Sequence, residues 1–78
     1  MTAETTEIDC RGQVCPGPII ELAKAFPGIA VGDLLAIVAD DPAARHDVPA
    51  WCRMRDQEYV GEDLADDGVP RYLVRRLS

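Results

Sequence analysis

Three cysteines and one histidine are the strongest nucleophilic or ligating side chains in this 78-residue sequence. Cys15 is set apart from the others by its neighbours. It opens Cys15-Pro16-Gly17-Pro18, which is followed by Ile19, Leu22, Ala23 and Phe26 at the spacing of one helix face. A proline disfavours the helical region for the residue before it and is itself comfortable at the first helical position. Cys15 is therefore expected at the N-cap, with its sulfur near the positive end of the helix dipole and near unpaired backbone N–H groups. A thiol there has a lowered pKa and a larger thiolate fraction. Neither Pro16 nor Pro18 has an N–H, so Gly17 alone among the first three helical residues can donate to the sulfur. The expected sulfur is nucleophilic without being heavily stabilised, and thiol exchange is fastest when the attacking pKa is near ambient pH. From geometry alone a buried structural cysteine stays open as the alternative.

The remaining candidates read mostly as structure. Cys10 is either a second, resolving thiol for Cys15 or a strand-end cysteine, and the spacing alone does not establish the Cα distance a disulfide needs. Cys52 shares a helix face with Val48 and Trp51 and is expected in the core. His46 reads as an exposed loop histidine ahead of a helix. Cys10, Cys15, His46 and Cys52 lack the tight paired spacing of a structural zinc site, so no metal is assigned. Asp40 and Asp41 read as turn and capping residues, and Arg75 and Arg76 as a solvated strand edge.

The elements that must position Cys15 follow from the pattern. Residues 1–6 are expected to form a flexible N-terminus before a single domain over residues 7–78, and Thr6 to Cys10 reads as a strand with Ile8 facing the core. Arg11 to Val14 forms a loop around Gly12, and Pro27-Gly28 ends the first helix. Leu34 to Ala39, an unbroken apolar run, suits a central buried strand. Asp47 with Pro49 marks the start of a second helix, whose face holds Val48, Trp51, Cys52 and Arg55. Glu58 to Ala65 and Arg71 to Leu77 are strands joined through Asp66-Asp67-Gly68, a hairpin signal. The order βαβαββ predicts a two-layer α/β sandwich: a mixed four-stranded sheet with two helices on one face. Strand order cannot be read from it.

Composition narrows the function. Eight Lys and Arg against fourteen Asp and Glu give a net charge of −6, which argues against stable nucleic-acid binding. No basic region with an apolar run opens the chain, and no apolar stretch is long enough to span a membrane, so a cytoplasmic location is expected. An odd cysteine count fits a compartment where thiols stay reduced. No cofactor is expected, and nothing demands a dimer.

Ile8-Asp9-Cys10-Arg11-Gly12-Gln13-Val14-Cys15-Pro16-Gly17-Pro18 resembles the TusA/SirA signature, an Asp-x-Arg-Gly segment followed by Cys-Pro-x-Pro at the start of the first helix. The likeness continues in Val31-Gly32-Asp33-Leu34-Leu35, Ala39-Asp40-Asp41-Pro42, Asp47-Val48-Pro49-Ala50-Trp51-Cys52 and Arg71-Tyr72-Leu73-Val74-Arg75-Arg76. It implies that Cys15 receives a sulfane sulfur from a cysteine desulfurase or another sulfurtransferase. It also implies that the sulfur is held as a persulfide and passed to a cysteine of a DsrE-type or other sulfur-relay protein. Asp9, Arg11 and Gly12 would shape and polarise the loop, and Pro16, Gly17 and Pro18 would support Cys15. Family destinations include tRNA thiolation, molybdenum cofactor maturation and sulfur oxidation. Three features depart from the family: Cys10 stands where many members carry an apolar or small residue, Pro27 falls where the first helix usually continues, and Lys24 alone remains of that helix's basic residues. Two other readings stay open: a dithiol redox module using Cys10 and Cys15, and a non-catalytic interaction domain.

Overall fold

The computed structural model describes residues 5–14 and 17–78. In chain order they form β1 (Thr5–Asp9), α1 (Gly17–Ala25), a single 3₁₀ turn (Phe26–Gly28), β2 (Leu34–Val38), α2 (Ala44–Arg55), β3 (Glu58–Leu64) and β4 (Pro70–Arg75). The four strands make one mixed sheet in the order β1-β2-β4-β3. β1 runs parallel to β2, and the β2–β4 and β3–β4 pairs are antiparallel. This is a two-layer α/β fold.

The unbroken apolar run of β2 is explained by burial on both faces. Leu35 and Ile37 point toward the helices and join one core with Leu22, Phe26, Val48, Trp51, Cys52, Tyr72 and Val74. Ala36 and Val38 point the other way, yet they too are fully buried. The register places Glu7 beside Ala36 and Arg71 beside Val38. Arg71 donates across β2 to Glu7 on β1 (3.1 Å) and to Asp63 on β3 (2.7 and 2.8 Å). A lid of ion pairs thus covers the small side chains of a sheet face that carries no helix. Glu58 extends the same chemistry to Arg75 at 3.7 Å.

Several expectations need correction. β1 runs from Thr5 to Asp9, so it begins one residue before the expected Thr6 and ends one residue before Cys10. Pro27 does not simply end the first helix: the chain tightens into the 3₁₀ turn, which keeps Phe26 in the core, edge-on to Trp51 at 5.1 Å. α2 starts at Ala44, and Pro49 lies inside it. Asp41 closes the turn ahead of the helix, its carboxylate accepting the Ala43 N–H at 3.0 Å, and a buried stripe opens at Ala44 and continues through Val48, Trp51 and Cys52. His46 is consequently an exposed helical residue, not a loop residue. The proline forgoes one helical hydrogen bond, a loss that this burial offsets.

Arg75 and Arg76 are not at a sheet edge, because β4 lies between β2 and β3. Arg76 donates to the Ile29 carbonyl at 2.6 Å and sits over the Phe26 ring at 5.5 Å. It helps line a cavity of about 240 Å³ with Phe26, Trp51, Arg55 and Gln57, around the C-terminal ends of α1 and α2 and away from the loop that follows β1.

Candidate functional site

The loop after β1 is held at nearly every step. The Cys10 N–H continues the β1–β2 ladder to the Val38 carbonyl (2.7 Å), and the Gln13 N–H donates to the Cys10 carbonyl (3.1 Å). Asp9 folds back as an Asx turn, its Oδ1 accepting the Arg11 N–H at 3.0 Å. Gly12 has φ +78°, and its N–H donates to both carboxylate oxygens of Asp40 at 3.1 Å. Glycine takes that left-handed conformation without the steric penalty a Cβ brings.

Arg11 turns toward the β3–β4 hairpin. Its Nε and Nη2 donate to the two oxygens of Asp67 at 2.8 and 3.1 Å, while Nη1 lies 3.1 Å from Asp9 Oδ1. Asp67 is oriented in turn by the Val69 N–H, which its Oδ1 accepts at 3.2 Å. The pairing holds the Asp67 carboxyl below its ordinary pKa, first through the Arg11 hydrogen bond and then through Val69, and it raises that of Arg11. The one cation of the loop therefore faces two carboxylates and has no charge to spare.

Asp9, Arg11 and Gly12 share this one loop. Asp40 and Asp67, which complete the arrangement, were missed as site residues. Asp40 carries only the signature of a turn, and Asp67 only that of a hairpin. Their loop partners stand 28 and 56 residues away in the chain. Arginines and aspartates at such separations carry no local signal.

Cys15 and Pro16, with the N-cap assignment of Cys15, lie outside the described residues. On either side of them, the Gly17 N–H donates to the Val14 carbonyl at 2.8 Å. The one donor that the sequence left for the sulfur is therefore engaged with the backbone. Pro18 is buried in the first turn of α1. An added Cβ at Gly17 would come within 3.0 Å of Gln13 Oε1, the movable end of a side chain. Val14 is largely exposed.

The other two thiols are enclosed. Cys10 is 0% exposed and Cys52 1%. Burial raises the Cys10 pKa, assisted by the charges of Glu21 and Asp9. It pushes the Cys52 thiol up to about 11. Both stay protonated at neutral pH, and neither is a nucleophile in the folded protein.

Against this geometry, the family described as sulfurtransferase TusA matches residues 6–76. The chain belongs to the TusA family. A sulfur-transfer role comes with that membership. Among relatives, a putative sulfur carrier protein of Archaeoglobus fulgidus is 39% identical over 69 residues, which span 88% of this chain and 90% of that one. Among solved structures, a SirA-like protein of Desulfitobacterium hafniense superposes with a TM-score of 0.75 at 22% identity, covering 96% of this chain and 99% of the other. At that identity the likeness bears on the fold, and it agrees with the two-layer TusA/SirA architecture described above. In TusA family terms, the loop built on Asp9, Arg11 and Gly12 is the Asp-x-Arg-Gly segment that precedes Cys-Pro-x-Pro.

Proposed function

We propose that the chain is a persulfide carrier: Cys15 accepts a sulfane sulfur and hands it to a cysteine of an acceptor protein. The observation that carries this reading is the withdrawal of the other two thiols into the core, at 0% and 1% exposure. Cys15, in the family's Cys-Pro-x-Pro motif, is then the thiol to which the proposal assigns the exchange.

The chemistry balances without an oxidant. The Cys15 thiolate attacks the terminal sulfur of a donor persulfide. A new S–S bond forms at Cys15 as the donor's own S–S bond breaks, and the donor cysteine leaves as a thiolate. In the second step an acceptor thiolate attacks the outer sulfur, and Cys15 leaves as a thiolate. A cysteine desulfurase or another sulfurtransferase fits the first role, and a DsrE-type or other relay protein the second. The route would serve tRNA thiolation, molybdenum cofactor maturation or sulfur oxidation, in a cytoplasm that keeps thiols reduced.

The dithiol alternative needs Cys10 to exchange with reagents from solvent, and its full burial speaks against that access. Cys15→Ser separates the readings. Serine is a good N-cap, so the variant should fold and lose all sulfur uptake. Unchanged uptake would overturn the proposal, and a folded variant that still binds its partners normally, from a protein that never took up sulfur, would mark an interaction domain.

A further inference from the structure

We infer that Asp67, at the tip of the β3–β4 hairpin, is a positioning residue for sulfur transfer that acts through Arg11. The inference rests on the carrier reading and deepens it. The loop from Asp9 to Val14 leads directly into Cys15, and among the described residues its side-chain anchors are three carboxylates. Asp9 is on the same segment, Asp40 follows β2, and Asp67 comes from the far side of the sheet. Asp67 provides the anchor with the most demanding geometry, a two-pronged guanidinium–carboxylate contact at 2.8 and 3.1 Å in which both partners are fixed in direction.

Two consequences follow for the sulfur site. The contact fixes the course of the loop at Arg11, four residues before Cys15. It also holds the guanidinium's charge on Asp67 and Asp9. Lysine cannot reproduce the fork, so Arg11→Lys should lose the anchoring of the loop while keeping its charge. Within the hairpin, the ion pair of Asp63 with Arg71 does not touch the loop and serves as a control.

The test uses the whole chain with Asp67→Asn, Arg11→Gln, the double variant, and Asp63→Asn. Sulfur acceptance from a persulfide-loaded cysteine desulfurase, the pH midpoint of Cys15 alkylation by iodoacetamide, and thermal melting are measured for each. Asp67→Asn should slow acceptance by roughly fivefold and move the thiol midpoint downward, because a carboxylate is removed and Arg11 is freed. The double variant should be no slower than Arg11→Gln alone, since residues that act as one unit give non-additive losses. Asp63→Asn should lower the melting temperature and leave the Cys15 midpoint where it is. Wild-type acceptance and midpoint in Asp67→Asn, or losses that multiply in the double variant, would overturn the inference. If the wild-type chain accepts no sulfur, the carrier reading fails, and the midpoint measurement still decides whether Asp67 acts on the Cys15 loop.

Discussion

Asp40 holds the N–H of Gly12 with both carboxylate oxygens, each at 3.1 Å. The end of β2 is thereby tied to the left-handed corner of the loop that follows β1. β1 and β2 are already parallel neighbours, so the contact extends the sheet's order beyond its last backbone bond.

Removing either partner should loosen that corner. Asp40→Ala leaves the Gly12 N–H to water and should cost about 1 kcal/mol. Gly12→Ala meets no atom within 4 Å, so its cost is conformational: about 1–2 kcal/mol for a Cβ at φ +78°. Urea denaturation measures both. A Gly12→Ala variant of wild-type stability would contradict the left-handed corner.

Much of this was legible in the sequence, and the limits were physical. The apolar run of β2, the stripes of both helices and the hairpin at Asp67-Gly68 are local patterns, and each formed close to where it was read. The start of α2 was misplaced because Asp47 and Pro49 imitate a cap, whereas Asp41 closes the turn ahead of the helix and the stripe begins at Ala44. Arg76 looked like a solvated charge because nothing local says that it will cover Phe26. Likewise Asp40 and Asp67 became site residues only when the sheet order brought their loops beside Arg11 and Gly12.

Cys52 should make stability fall at high pH. Its folded pKa of about 11 stands above the ordinary value of 9.0. The folded chain therefore holds the thiol proton more tightly than the unfolded chain. This contribution is fully present below about pH 9 and is lost as pH rises through about 11, on the order of 2–3 kcal/mol in all. Denaturant titrations between pH 8 and 11 should show a decline that is shallower in Cys52→Ala. At neutral pH, Cys52→Ser should cost about 1–3 kcal/mol by burying a hydroxyl where a thiol packed. An unchanged melting temperature would contradict the burial of Cys52.

Acid should act through the carboxylates that face arginines. Asp63 and Asp67 both titrate below the ordinary carboxyl value, because Arg71 and Arg11 respectively donate to them. Their contributions are present above the unfolded carboxyl pKa near 3.9 and are lost as pH falls through the depressed folded values. Circular dichroism during acid titration should show unfolding beginning below about pH 4. Asp63→Asn and Asp67→Asn should each weaken that pH dependence, and an unaltered acid transition in both variants would contradict the ion-pair assignments.

Sulfur carried by this chain should reside on Cys15. The most direct measurement is intact-protein mass spectrometry after incubation with a cysteine desulfurase and cysteine, followed by peptide mapping of all three cysteines. A gain of one sulfur atom, about 32 mass units, reversed by a reductant and confined to the peptide holding Cys15, is the predicted result. No gain, with a loss of two hydrogens across Cys10 and Cys15, would contradict the carrier and make the chain a dithiol module.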